Sequence, residues 1–339
     1  MKKTEKHKKG SAQRTDLFPR GKKNSITDVP GVKACHLTVQ KDFQDGPEKA
    51  VSIRTGLTAV LPYAMDKEIR VFAGFFILNG KGEMTGYETM DDFCYLNSPV
   101  VVTNSFNIGK VYDAILSYGF ALKRAEVWPP LVIGVDDSYL NDLTRHLFKE
   151  EEILDAFSKA SDGPIEEGSV GAGIGLRALK WKGGIGSASR ILALGERQFT
   201  LGVLVASNHG NQHSNKGGDS LTIIAGTDIP VLPHQIKRIA QSLAANLPRW
   251  ANPGDTDTIP CLLFSTANPM SMENDGPRLF DYQMIDDSFL GQIIGAGREA
   301  VGEAILNSLL KAAPVQGKSG RVVRTIPDSE LAEFRQKVD

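Results

Sequence analysis

The chain has 339 residues, 41% of them hydrophobic and 23% charged, with 34 glycines and a formal net charge of −1. These proportions fit a soluble globular protein and exclude a fibrous or wholly disordered one. No apolar run approaches the roughly 20 residues that span a bilayer, and the first residues lack the apolar core of a secretory signal, so the cytoplasm is the expected compartment. Three cysteines, Cys35, Cys94 and Cys261, with no CxxC pair, exclude a disulfide framework and offer no zinc site.

Residues 1–23 carry nine Lys/Arg against Glu5 and Asp16, a charge of +7 that leaves −8 for the rest. This segment has no apolar periodicity and no interleaved aromatics, so it reads as a solvated, disordered basic tail. The acidic body argues against nucleic acid as the main partner. Short β-branched or aromatic runs bounded by Gly, Asn, Asp or Pro then predict strands at 71–78, 99–103, 131–135, 199–206, 221–225 and 260–264. Helices are predicted where apolar residues recur at helical spacing. The first holds Val111, Ile115, Tyr118 and Leu122 behind Asn107 as cap; later ones hold Leu232, Ile236, Ile239, Leu243 and Leu247, then Leu290 to Leu309. The chain is α/β or α+β. Length alone allows about two domains, but the linker candidate at 248–254 is too short to divide them, and no internal repeat is present.

Most of the local motifs carry bland readings. Gly173, Gly175 and Ala178 fit GxGxxA, but the preceding DGPIEEGS is no strand and no Gly-Lys-Ser/Thr follows, so these glycines, with Gly183, Gly184 and Gly186, read as sites of close backbone approach. His209 and His213 have the i, i+4 spacing of a metal pair, yet Gly210 and Asn211 between them favour a loop. No GxSxG elbow occurs. In NKGGDSLTIIAGTD a Gly-Gly lead reaches Asp219 and Ser220 and turns abruptly apolar; by itself this is a polar residue entering a sheet.

Read in order, eight blocks change the picture: NSITDVPGVK (24–33), IRTGLTAVLP (53–62), LNGKGEMTGYE (78–88), VVVTNSFNIGKVYDAI (100–115), GSVGAGIGLRALKWKGGIGSASR (168–190), LGVLVASNHG (201–210), GDSLTIIAGTDIPVLPHQIKRIA (218–240) and LLFSTAN (262–268). Together they resemble the DmpA-type peptidases, which comprise L-aminopeptidase D-esterase/amidases, β-peptidyl aminopeptidases and, more distantly, nylon-oligomer hydrolases. The resemblance implies an α+β fold, a single four-layer αββα sandwich over 24–339, similar to ornithine acetyltransferases. It also implies self-cleavage before a Ser or Thr, here between Asp219 and Ser220, giving chains 1–219 and 220–339.

Such a cut solves a chemical problem. A serine hydroxyl is a weak nucleophile and needs a base within reach, and the new α-amine of Ser220, with a reference pKa near ~8, is one. The resemblance further implies Asn208 as donor to the oxyanion, Lys182 as an active-site lysine, and Asp255 and Asp257 as carboxylates orienting the Ser220 hydroxyl or amine. Asp137 and Tyr139 match the Glu and Tyr that receive a substrate ammonium. Three departures are visible: Asp137 is one methylene shorter than Glu, the loop after Tyr139 is about two residues shorter, and Asp219 stands where Gly or Asn is common. The expected enzyme is a hydrolase, an aminopeptidase and amidase-esterase acting on small peptides or amino-acid amides through an acyl-enzyme on Ser220. It would need no cofactor or metal, would contact neither nucleic acid nor membrane, and would assemble as a homo-oligomer, commonly a tetramer of cleaved pairs. Acyl transfer to an amine is the second reading, disfavoured because the related transferases use Thr. An uncleaved, non-catalytic binding homologue is the third.

Overall fold

The computed structural model describes residues 17–47, 50–124, 129–145, 148–210, 219–248, 251, 256–272 and 279–331. In chain order the elements are β1 (Lys33–Gln44), β2 (Ala50–Leu61), β3 (Ile69–Leu78), α1 (Tyr87–Phe93), β4 (Tyr95–Leu96), β5 (Val100–Asn104), α2 (Ile108–Ala121), β6 (Leu131–Val135), α3 (Glu150–Ser158), β7 (Arg177–Ala178), β8 (Trp181–Lys182), β9 (Gly184–Leu194), β10 (Arg197–Asn208), β11 (Ser220–Thr227), α4 (Pro233–Ala245), β12 (Ile259–Ser271), α5 (Leu290–Leu310), β13 (Val315–Gln316) and β14 (Val322–Val323). One sheet runs β1-β2-β5-β6 and the other β4-β3-β12-β11-β10-β9, with β7-β8 and β13-β14 as separate ribbons.

The layers follow from period-two patterning. In β10, Leu201, Val203 and Val205 pack with α4 and α5, whereas Leu204 and Ala206 join the core shared with the smaller sheet. In β11, Leu221, Ile223 and Ala225 take the helix side and Ile224 the inter-sheet side; in β12, Cys261 and Leu263 oppose Leu262 and Phe264 in the same way. Strands apolar on both faces require cover on both. Helices α4 and α5 cover the larger sheet and α2 and α3 the smaller, which is the αββα sandwich. Helix α4 shows why these residues form such a layer: Pro233 opens its first turn and Ile236, Ile239, Ala240, Leu243 and Ala244 form one buried stripe. No helix among the described residues is long and apolar enough to cross a membrane.

Two expectations change. Asn107 makes no side-chain cap; Asn104 does, its Oδ1 accepting from Phe106 N at 2.7 Å, because a single 3-10 turn precedes α2. The tail expected over 1–23 also ends sooner. Residues 17–23 are held in place: Arg20 pairs with Glu303 at 3.0 Å, and Glu303 also takes the fully buried Arg190 at 2.8 Å. A buried guanidinium needs carboxylates, and those on α5 reach the chain entry as well.

Candidate active site

The site begins with register. Asn208, the last residue of β10, stands opposite Ser220, the first of β11. Two residues beyond Ala206, and four before Ile224, the pair continues the inter-sheet face of the larger sheet. Ser220 is 5% exposed, and its hydroxyl, like that of Thr222, has no hydrogen-bond partner among the described residues. On the other side Ser220 bridges Thr258 in parallel. Thr258 N–H donates to the Asp219 carbonyl at 3.0 Å, and Leu221 N–H donates to the Thr258 carbonyl at 3.0 Å. Thr258 therefore holds the chain on both sides of Ser220, through the Asp219 carbonyl before it and the Leu221 N–H after it.

Asn208 links the sheets. Its Oδ1 accepts from Arg177 N–H at 3.2 Å, which fixes the amide orientation, and its Nδ2 donates to the Asp136 carbonyl at 2.8 Å. An amide nitrogen carries two hydrogens, so one remains for an oxyanion. The bond to Asp136 brings the end of β6 onto the site, and with it Asp137. That carboxyl is 1% exposed and accepts from Asn104 Nδ2 and from Asn141 Nδ2, the latter at 2.9 Å. Burial pushes Asp137 up from 3.8 to about 7, against the pull of these amide donors. Asn104 thus caps the turn before α2 and orients Asp137 with the same side chain. Tyr139 lies 36% exposed beneath two guanidinium groups, Arg177 at 3.9 Å and Arg321 at 4.8 Å from the ring centre.

The other expected residues sit differently. Lys182 is fully buried at the same end of the sheet, but its ammonium gives its three donors to the carbonyls of Gly173, Leu176 and Gly183, each at 2.7 Å. Burial lowers it to about 7, while three carbonyl acceptors favour the charged form. In this arrangement it ties the glycine-rich turn of residues 171–175 to β8. Asp257 Oδ2 accepts from Gly210 N–H at 2.8 Å, bracing the chain two residues beyond Asn208. Asp255 and His213 lie outside the described residues. His209 follows β10 and is fully buried; burial lowers it to about 4, so it is neutral. Among the described residues no cluster of three His, Cys, Asp or Glu could hold a metal. Sequence reasoning missed Thr258, whose backbone N–H holds the Asp219 carbonyl, and Asn104 and Asn141, whose amides hold the Asp137 carboxyl.

A strand-initial serine thus lies opposite an asparagine whose amide is bonded to the backbone next to the buried Asp137 carboxyl. The model of peptidase family S58 matches residues 24–323. The chain belongs to peptidase family S58. Among the S58-type relatives, the β-peptidyl aminopeptidase BapA of Sphingosinicella microcystinivorans is 30% identical over 352 residues, covering 94% of this chain and 89% of the relative. A β-aminopeptidase from a Burkholderia species has a solved structure with 30% identity and a TM-score of 0.85, covering 96% of this chain and 97% of that one. The L-aminopeptidase D-Ala-esterase/amidase of Ochrobactrum anthropi, described as a prototype serine aminopeptidase and a variant of the Ntn hydrolase fold, gives 30% identity and 0.83, covering 94% and 96%. The S58 chain is accordingly a hydrolase with the αββα fold of that group.

Proposed function

We propose that this S58 chain is a self-processing serine aminopeptidase that releases N-terminal residues from small peptides, amides or esters. The observation that carries the reading is the buried, unpartnered Ser220 hydroxyl beside the Asn208 amide, at a peptide whose carbonyl is already held by Thr258 N–H. In the uncut chain Ser220 Oγ attacks the Asp219 carbonyl carbon. The developing oxyanion keeps its bond to Thr258 N–H, the C–N bond breaks as the nitrogen takes a proton, and water hydrolyses the resulting ester. The product is one domain of two chains, 1–219 and 220–339.

In the cut enzyme the α-amine accepts the Ser220 proton, Oγ attacks the substrate carbonyl, and Asn208 Nδ2 donates to the oxyanion. The leaving amine receives the proton, and water releases the acyl group by the same route. Asp137, held by Asn104 and Asn141, takes the substrate ammonium. Asp257 positions the Asn208 turn through Gly210, and Asp255 completes the pair of carboxylates. Lys182 acts as an anchor for the 171–175 turn. The free thiols of Cys35, Cys94 and Cys261 suit a reducing compartment such as the cytoplasm. A homo-oligomer of cleaved pairs is the expected assembly.

The test is a panel of L-, D- and β-aminoacyl p-nitroanilides with N-acetylated controls. Free-amine substrates should turn over and Ser220→Ala should not; turnover confined to N-blocked substrates would remove Asp137 from its role. Added amino-acid acceptors should not divert the acyl group, as an acyltransferase would require.

A further inference from the structure

Three segments far apart in sequence converge on Tyr139. The first is the loop after β6 that carries Asp137 and Tyr139. The second is β7, whose Arg177 N–H holds Asn208 Oδ1 at 3.2 Å. The third is the arm of residues 315–326, fastened over the site at several points. Lys318 N–H donates to the Leu140 carbonyl at 2.8 Å, Arg54 Nε to the Gln316 carbonyl at 2.6 Å, and Lys182 N–H to the Arg324 carbonyl at 2.8 Å. A small apolar cluster of Leu140, Ile174, Val315 and Val323 seals the arm to the loop. The arm thereby delivers Arg321, whose Nη1 donates to the Tyr139 carbonyl at 3.2 Å while its guanidinium lies over the Tyr139 ring.

Two cations share one ring here in a body of net negative charge. The ring's quadrupole attracts each of them, but they repel one another. Arg54, Arg145 and Arg190 each end on a carboxylate: Asp42, Asp45, and Glu299 with Glu303. Arg321 makes no ion pair among the described residues and is exposed. A planar guanidinium presents a fork that matches a carboxylate. We propose that Arg321, held over the Tyr139 ring, is the anchor of a carboxylate-binding subsite on the loop that carries Asp137, so that the substrate is a short peptide carrying a free carboxylate near the scissile bond.

The inference rests on the aminopeptidase reading and names its substrate class. The carboxylate has two possible sources. It belongs either to the residue being removed, as in a β-linked aspartyl group with a free α-carboxylate, or to the C-terminus of a leaving residue in a dipeptide. Two matched comparisons separate them: β-aspartyl against β-alanyl p-nitroanilide, and a β-alanyl dipeptide against its C-terminal amide. At least one pair should favour the carboxylate by about tenfold in kcat/KM, the scale of one charge-assisted contact in a partly exposed setting. Arg321→Gln should bring that ratio towards one. Arg197→Gln, which removes an exposed charge at the opposite end of β10, should leave it intact. Ratios near one in both pairs, or a preference that survives Arg321→Gln, would overturn the subsite. Calorimetric binding to the parent protein of the same pairs made non-hydrolysable, with a methylene in place of the scissile carbonyl, reads the subsite without turnover. Equal affinities there would also overturn it. A retained difference with no turnover by the parent enzyme would instead sink the aminopeptidase reading alone.

Discussion

The two ends of the β10–β11 ladder are built on opposite terms. At the Thr227 end the Thr227 and Ser265 hydroxyls both have partners. Thr227 Oγ1 donates to the Thr200 carbonyl at 2.8 Å and accepts from Ile229 N–H at 3.1 Å, Thr200 N–H reaches Asp228 at 2.6 Å, and Ser265 Oγ donates to the Ile229 carbonyl at 2.6 Å. At the Ser220 end, under equal burial, the Ser220 and Thr222 hydroxyls have no partner among the described residues. An unpaired buried hydroxyl costs about 1–3 kcal/mol, so the second end is the less stable and the more reactive one. Within β11 itself, buried hydroxyls are paired at the Thr227 end and unpaired at Ser220 and Thr222, so the strand is stabilised at one end and left reactive at the other.

Substitutions can break that contrast. Ser220→Ala should abolish both chain cleavage and turnover, a loss of roughly 10⁶-fold as when a nucleophile is removed. Its melting temperature should hold or rise, because the hydroxyl had no partner to lose; a drop of many degrees would mean that Ser220 is a structural residue. Asn208→Ala should lower kcat by about 10²–10³-fold if its amide meets the oxyanion, read in steady-state kinetics on protein that has already been cut.

Asp137 gives a pH signature. Because burial raises its carboxyl from 3.8 to about 7, the folded chain holds a proton that the unfolded chain has released between those values. Stability should therefore fall as pH rises through that window, and Asp137→Asn should flatten the slope in denaturant titrations. Only the ionised form attracts an ammonium, so KM for free-amine substrates should fall as pH rises through about 7 in the parent enzyme and stay high and level in Asp137→Asn. The smallest effect on rate belongs to the other end of the ladder: Thr227→Val should cost about 1–2 kcal/mol of stability by stranding its two partners, with kcat/KM unchanged.

Much of the larger sheet and its helices was legible in sequence, because β3, β10, β11 and β12 are apolar on both faces and α4 and α5 keep helical spacing. Strands β1, β2 and β9 were not. Arg54 interrupts the apolar run of β2, and it is tolerated inside because Asp42 and the Lys41 and Gln316 carbonyls satisfy it. Strand β9 reads as GIGSASRILAL because α5 lies against it so closely that a Cβ at Gly186 would collide with the Ala304 carbonyl. In the site, Ser220 and Asn208 were readable only through the order of the eight blocks, since each alone is a plain strand-end residue. The Thr258 contribution is a backbone N–H, which no side-chain pattern records. The full use of the Lys182 ammonium by three carbonyls is likewise a product of folding around the 171–175 turn.

The central claim is that the unpartnered serine at the start of β11 cuts its own chain. Intact-mass analysis of the purified protein, with N-terminal sequencing of the shorter product, tests it most directly. The account predicts two chains, the shorter beginning Ser-Leu-Thr-Ile-Ile at Ser220, and a single uncut chain for Ser220→Ala. A parent protein that stays whole after prolonged incubation, or one cut at any other bond, would contradict it.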